Sequence, residues 1–318
     1  MAQQTKAAYY TEFGGIDKIQ VGPLDLPELG SHDVQVQVKA AGVNPVDAVV
    51  REGKFAQMVP SAFPTVPGWD VCGIVEKCGP GVERLAVGDE VYGYVRQPVA
   101  QHGTFAERMV VPEHYLARSP KKLSWVEAGG LPLAGLTAYQ SVLKAGQLKA
   151  GETVLILGAS GGVGGSAIQL AKSVGANVVA VASADSAAHM KQLGADFTID
   201  YKAGPVAEAV KRVAPDGIDL LFDAASGDTL TQSLATLKPN GRLISVLNDG
   251  KNLTLPAGVH FQHVMAQPSV ADLDYLRELA DAGKLTVPIA ATFSLDDTKK
   301  AFEQIETHHT TGKIVIVP

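Results

Sequence analysis

Two textures divide the chain. In VQVQVKAAGV, apolar and polar residues alternate from Val34 to Val38, the period-two pattern of a strand. GDEVYGYV (88–95) and FAERMVV (105–111) are short runs of the same kind, set among recurring prolines and glycines. From about Leu123 the pattern changes. WVEAGGLPLAGLTAYQSVLKAG is rich in alanine and leucine at helical spacing and ends at Gly146, which predicts a helical segment and a domain boundary near residue 125. Beyond it, apolar runs alternate with amphipathic stretches. TVLILG, NVVAVA, FTID, IDLLFDAA and RLISVL predict strands; helices are predicted at about 163–174, around 187–193, within 206–213 and near Leu230. Continuous apolar strands separated by helices are the signature of a doubly wound parallel sheet. The tail carries a polar helix, DDTKKAFEQIE, and a final strand, KIVIVP; periodicity does not say which domain they join. There is no internal repeat and no low-complexity tract.

Composition narrows the reading. A chain of 318 residues suggests about two domains at roughly 150 residues each. With 46% hydrophobic and 19% charged residues it has material for a well-buried core, unlike a disordered chain. A net charge of -6 and the lack of a clustered basic stripe argue against nucleic acid as a partner. The opening MAQQTKAAYYTEFGG lacks the charged-then-apolar order of a secretory signal, and no apolar run approaches the ~18 residues that span a bilayer. A cytoplasmic protein with no membrane association is the expectation. The two cysteines, Cys72 and Cys78, are not spaced as C-x-x-C, and buried apolar thiols are expected rather than a redox pair or a metal knuckle.

The sharpest local motif is VLILGASGGVGGSAIQLAK, an apolar strand running through a glycine-rich turn into a helix. Ala159, Gly161 and Gly164 stand at the three positions of a G-x-G-x-x-G fingerprint, with alanine replacing the first glycine. In such a loop (here Ala159, Ser160, Gly161, Gly162, Val163 and Gly164) main-chain amides approach a pyrophosphate, and the helix turns its positive end to the same anion. At the end of the second strand, where a carboxylate would bind an NAD ribose, the chain has Ala182 and Ser183. Nothing there repels a 2'-phosphate, and Ser183 can donate to it, which favours NADPH. Asp185 is the counter-argument, since a small backbone shift would bring it to the ribose.

With AAGVNPVD, PGWDVCGIVEKCGPGV, GDEVYG, GTFAE, GLTAY, GASGGVG and the closing TGKIVIVP in this order, the chain resembles the medium-chain dehydrogenase/reductase superfamily over essentially its whole length. It is most similar to the zinc-free quinone oxidoreductase branch, the zeta-crystallin group. The resemblance implies an α/β protein: a mostly β, GroES-like catalytic domain (1–125 and 266–318) around a Rossmann domain with a doubly wound parallel sheet (126–265). It implies a homodimer. Zinc-dependent members carry a cysteine where this chain has Asn44 and a His-Glu pair where it has Trp69 and Asp70; their structural zinc needs four cysteines in a lobe that here contains none. Neither Asn nor Trp replaces a thiolate or imidazole ligand, so no metal is expected.

The activity implied is hydride transfer from NADPH to a quinone or an α,β-unsaturated carbonyl, acceptors electrophilic enough to need no Lewis acid. Two alternatives stand beside it: an alkenal or enone double-bond reductase with little quinone activity, and a non-catalytic NADPH-binding protein of the crystallin type. By resemblance Asn44 lines the acceptor and nicotinamide pocket, where its amide could donate to the acceptor oxygen, unless it only shapes the turn before Pro45. Asp47 completes the candidate catalytic pair, with a local structural role as the competing reading. Tyrosines common in the branch are replaced by Val49 and Phe55, leaving the proton donor unidentified. Thr137 is carried over as a nicotinamide contact, against helix packing. Tyr201 is expected to flank the 2'-phosphate, although the lysine often beside it is replaced by Ser186, and Ser245 is expected near the nicotinamide. His260 and His263 lack a third ligand nearby and are expected at a surface or rim; His102 is a candidate rim residue, and His308 and His309 are solvated.

Overall fold

The computed structural model describes residues 3–318. The chain divides into two compact units, Met1–Leu133 with Pro268–Pro318, and Ala134–Gln267.

The first unit is built on a seven-stranded sheet in the order Ile289–Ser294, Lys313–Val317, Asp33–Val43, Asp70–Cys78, Glu90–Tyr94, Leu116–Arg118, with Arg108–Pro112 also paired to Asp33–Val43. Its core gathers Val34, Val36, Val38, Val71, Val75, Val91, Met109 and Phe302. Alternation predicts one solvated face for the central strand, yet Gln35 is buried too, its amide donating to Glu76 at 2.8 Å. The C-terminal strand answers what periodicity left open. It pairs antiparallel with the central strand through Ile314 opposite Val43, Val315 opposite Gly42 and Ile316 opposite Ala41. The polar tail helix, Thr298–Glu306, buries Phe302 and Ile305 and turns its charges outward. It is pinned by Arg51, which is fully buried, lies 5.0 Å over the Phe302 ring and donates to Glu306 at 2.8 Å.

The second unit holds a six-stranded parallel sheet in the order Phe197–Asp200, Asn177–Ala182, Thr153–Leu157, Ile218–Asp223, Leu237–Ser245, His260–His263. The strand order reverses between Thr153–Leu157 and Ile218–Asp223, the switch point at whose carboxyl end such sheets bind ligands. The predicted strands and helices of this half are all present. His260–His263 is an additional edge strand, whose two histidines are exposed. Only Phe261 on it is apolar, so it shows no strand period.

The alanine-rich segment forms three pieces instead of one helix: Trp125–Gly130, Pro132–Tyr139 and a π-helical stretch Gln140–Ala145. Ser124 caps the first piece, with its hydroxyl accepting from Glu127 N and Glu127 returning to Ser124 N at 2.8 Å. That piece belongs to the first unit. A Cβ on Gly129 would stand 2.7 Å from the Ala40 Cβ, so the helix lies directly against the central strand. The unit boundary accordingly follows Leu133, whereas the change of texture puts it near 125. No helix among the described residues is long and apolar enough to cross a membrane.

Candidate functional site

In the second unit, the strand Thr153–Leu157 delivers the chain into the glycine turn. Gly158 adopts φ +73°, a conformation that L side chains rarely take, and this reverses the chain. Ala159 is fully buried and donates its N–H to Val181 O at 3.1 Å, fixing the turn to the next strand. The helix Gly162–Ser173 follows, with Gly161 as its N-cap. Gly164 serves packing: a Cβ there would lie 2.3 Å from Gly158 O. Gly161 is different, since a Cβ would meet nothing nearer than Gly158 O at 3.7 Å. Ser160, Gly161, Gly162 and Val163 are partly exposed, while Ala159 and Gly164 are buried. The first-turn amides of such a helix have no intrahelical acceptor. The turn therefore presents donors, a positive helix end and a surface left bare by glycine, which fits a dinucleotide's pyrophosphate.

At the end of the neighbouring strand, Ser183 is half-buried. Tyr201 N donates to Ala182 O at 3.2 Å, which places Tyr201 beside that strand end, and its side chain is exposed. Lys202, which no motif singles out, holds its ammonium 5.7 Å from the Tyr201 ring centroid and has no ion-pair partner among the described residues. Its backbone is fixed by donation to Asp200 Oδ1 at 2.9 Å. Ser186, where the resemblance implies a lysine in other members, is buried. The signal available in the sequence was the Tyr-Lys pair directly after a predicted strand.

Ser245 ends the strand Leu237–Ser245 and is fully buried. Its hydroxyl donates to Asp223 Oδ2 at 2.6 Å and accepts from Leu247 N at 3.2 Å and Asn248 N at 2.9 Å. The other Asp223 oxygen accepts from Ala225 N at 3.1 Å and Ser226 N at 2.6 Å. This pair shapes two loops at the carboxyl edge of the sheet, and the Ser245 hydroxyl is spent in doing so. Thr137 is buried on the helix Pro132–Tyr139.

The first unit contains a buried polar cluster. The central strand ends at Val43, and Pro45 opens the helix Pro45–Arg51 from its N-terminal turn, where a missing N–H costs nothing. Asp47 Oδ2 accepts from Asn44 N at 2.8 Å. The Asn44 amide nitrogen donates to Asp70 Oδ2 at 2.9 Å and to Gly42 O at 3.4 Å, while its oxygen accepts from the Lys313 ammonium. Lys313 also donates to Val43 O at 3.1 Å and lies 3.7 Å from Asp70 Oδ2. Asp70 Oδ1 accepts from Leu133 N at 2.7 Å. Gly42 permits this convergence, because a Cβ there would stand 2.9 Å from Asp70 Oδ2. The donating group expected to serve an acceptor is thus engaged inside the protein. Val49 and Phe55 are both half-buried.

Burial pushes the Asp47 carboxyl up to about 7, partly offset by the Asn44 N–H; the Asp70 charge raises it further and Lys313 lowers it. Burial likewise lifts Asp70 to about 6, against the pull of Lys313, the Asn44 amide and Leu133 N–H. Lys313 is pulled below its ordinary value by burial, opposed by the two carboxylates. A carboxyl raised in the folded state stabilises most below its unfolded pKa, and that contribution is lost as pH rises through the folded pKa. Asp47→Asn mimics the protonated form and keeps an acceptor for Asn44 N. Melting temperature is therefore expected to fall less steeply in this variant than in the wild type between about pH 4 and 7; parallel melting curves across that window would contradict the buried assignment.

Trp69 is buried with its ring 6.0 Å from that of Tyr94, Asn44 and Asp70 bond to one another, and no group of three His, Cys, Asp or Glu among the described residues has the geometry to hold an ion. Cys72 is buried 3.3 Å from Ser119 Oγ, its thiol pushed up to about 12 by burial, and Cys78 is a second free thiol. Both have packing roles. His102 stands exposed at the end of its short strand, and desolvation by the protein around it lowers its pKa.

Residues 30–121 match the model of the alcohol dehydrogenase GroES-like domain, and residues 193–316 that of zinc-binding dehydrogenases. The chain is 35% identical over 325 residues to an NADPH-dependent alkenal/one oxidoreductase, chloroplastic, of Arabidopsis thaliana, covering 99% of this chain and 80% of that one. Its fold is similar to that of the quinone oxidoreductase from Coxiella burnetii (TM-score 0.89, 30% identity, 99% of this chain and 100% of the other). It is also similar to an NAD-dependent alcohol dehydrogenase (TM-score 0.91, 30% identity, 98% of this chain and 99% of the other). With a GroES-like unit, a parallel nucleotide-binding sheet and relatives that match this chain over nearly its whole length, the chain belongs to the quinone oxidoreductase-like proteins of the medium-chain dehydrogenase/reductase superfamily.

Proposed function

We propose that the protein is a zinc-independent oxidoreductase that passes a hydride from NADPH to a quinone or to the β-carbon of an α,β-unsaturated carbonyl. The observation that carries this reading is the glycine turn, whose bare surface at Gly161 and free first-turn amides suit a pyrophosphate. When bound, the nicotinamide supplies the hydride, and a proton from solvent completes the reduction. The chain's own part is to hold and orient. Ser160, Gly162 and Val163 offer main-chain donors to the pyrophosphate, the Gly161 N–H being donated to Gly158 O at 3.3 Å, while Ser183, Tyr201 and Lys202 gather where the adenosine ribose of a Rossmann dinucleotide lies. An unpaired cation and the lack of a carboxylate at Ala182 and Ser183 themselves favour a 2'-phosphate, hence NADPH over NADH, against the nearby carboxylates of Asp185 and Asp200. Independence from zinc is supported by the donors at Asn44, Trp69 and Asp70, which are turned to one another, to Lys313 or to an aromatic ring.

The test is a panel of quinones and enones run with each cofactor, following nicotinamide absorbance. Consumption of NADPH with either class, unaffected by EDTA, is the expected result. NADPH that binds without being consumed would leave only a binding protein, and loss of activity on chelation would remove zinc independence. Lys202→Glu puts a carboxylate beside the strand end and is expected to cut the preference for NADPH over NADH by roughly tenfold or more. An unchanged preference would mean that the 2'-phosphate is read elsewhere.

A further inference from the structure

The Asn44 amide can sit in two orientations related by a flip, and its neighbours decide between them. An ammonium only donates, so Lys313 must meet the amide oxygen; an ionised carboxylate only accepts, so Asp70 must meet the amide nitrogen. Each neighbour is anchored by a different part of the chain. Lys313 opens the C-terminal strand, which is paired to the central strand next to Val43, and its ammonium also holds Val43 O. Asp70 opens its own strand, and its second oxygen is held by Leu133 N. Asp70 is fully buried and Lys313 nearly so (6% exposed), so little solvent competes for the amide. The motifs around Asn44 and Asp70 resemble positions that zinc-dependent relatives use for their metal, and here both side chains converge on an ammonium.

We infer that the Lys313 ammonium is the resident cation of this site and that Lys313 and Asp70 are positioning residues, holding the Asn44 amide in a single orientation. The catalytic consequence rests on the proposed function: a fixed amide gives the acceptor pocket a constant polar wall, and a freed one does not. The structural consequence does not depend on that reading. Lys313→Met leaves the Asp70 carboxylate buried without its cation, and Asp70→Asn leaves the ammonium without its anion. The double variant removes both charges together.

The experiment compares wild type, Lys313→Met, Asp70→Asn and the double variant in the full chain, by thermal melting, turnover with NADPH and the acceptor, and the side-chain amide resonances of Asn44. Each single variant is expected to melt about 10 °C lower, with the double variant recovering at least about half of that loss. Turnover in the double variant is expected to stay at least roughly tenfold below wild type, with the NADPH KM within about twofold. In the wild type the two Asn44 amide protons should be distinct and protected from exchange, and they should lose that protection in the double variant, where neither neighbour dictates the orientation. A double variant that regains turnover along with stability would reduce the pair to a structural role and overturn the inference. So would Asn44 amide protons that stay protected in the double variant, or stoichiometric uptake of added zinc by the wild type. If the wild type turns over no acceptor, the functional reading fails by itself, and the amide resonances still decide the orientation.

Discussion

Gly161→Val is expected to abolish NADPH binding in a chain that still folds. Gly161 has φ -77° and ψ 173°, extended backbone that any residue adopts, and an added Cβ would approach nothing closer than 3.7 Å. Valine therefore fits the free protein at a cost of about 1 kcal/mol, because it is a poorer N-cap than glycine. The dinucleotide meets a different surface. Its pyrophosphate needs to reach the amides of the first turn, and a branched side chain at the N-cap fills the approach. Lost amide contacts to a charged group are worth about 1.5–3 kcal/mol each, so NADPH affinity should fall at least about 100-fold. Fluorescence titration with NADPH beside a thermal melt separates the two effects. Wild-type affinity in this variant would remove the loop from the binding site.

Much of the nucleotide-binding unit could be read from the sequence because its strands are buried on both faces and therefore spell continuous apolar runs. Asn177–Ala182 and Phe197–Asp200 fall where NVVAVA and FTID place them, and the glycine turn lies between strand and helix as its motif demands. Local period fails where neighbours far along the chain decide the outcome. His260–His263 is an edge strand paired with Leu237–Ser245, with Phe261 packed on the core and both histidines exposed, and nothing in HFQH announces it. The Ser245 hydroxyl is engaged by Asp223 together with two loop amides, partners that no spacing predicts.

The candidate catalytic residues show the same division. That Asn44 and Asp47 matter together is visible in NPVD, a proline-started helix with an aspartate able to receive the preceding amide. That both sit beside Lys313 is not visible, since 269 positions separate Lys313 from Asn44. KIVIVP read simply as a strand, although a lysine opening an otherwise apolar and buried strand is itself a hint that a buried anion waits for it. The buried charges explain why the amide of Asn44 is committed: in a water-poor environment two carboxyls and an ammonium take every donor and acceptor within reach. Polar groups in this unit are thus organised around their own compensation.

Gly164→Val, three positions beyond the first substitution, is expected to do the reverse and unfold the nucleotide-binding unit. A Cβ at Gly164 would stand 2.3 Å from Gly158 O and 2.6 Å from the Ala159 Cα, both backbone atoms. Neither can yield cheaply. Gly158 is held at positive φ with its own Cβ position facing Ala224 O at 2.8 Å, and Ala159 is tied to Val181 O. The helix Gly162–Ser173 would have to leave the sheet, and with it Ala167, Ile168, Leu170 and Ala171, all fully buried. Overpacking alone costs about 1–3 kcal/mol, and loosening a buried helix brings the expected loss to about 4 kcal/mol or more. The two tryptophans, Trp69 and Trp125, both belong to the other unit. Far-ultraviolet circular dichroism should therefore lose helical signal at lower urea in this variant, while tryptophan fluorescence keeps a later transition. A helix signal that unfolds at the wild-type urea concentration would show that the turn can open around a side chain, and that Gly164 is not what seats the helix against its strand.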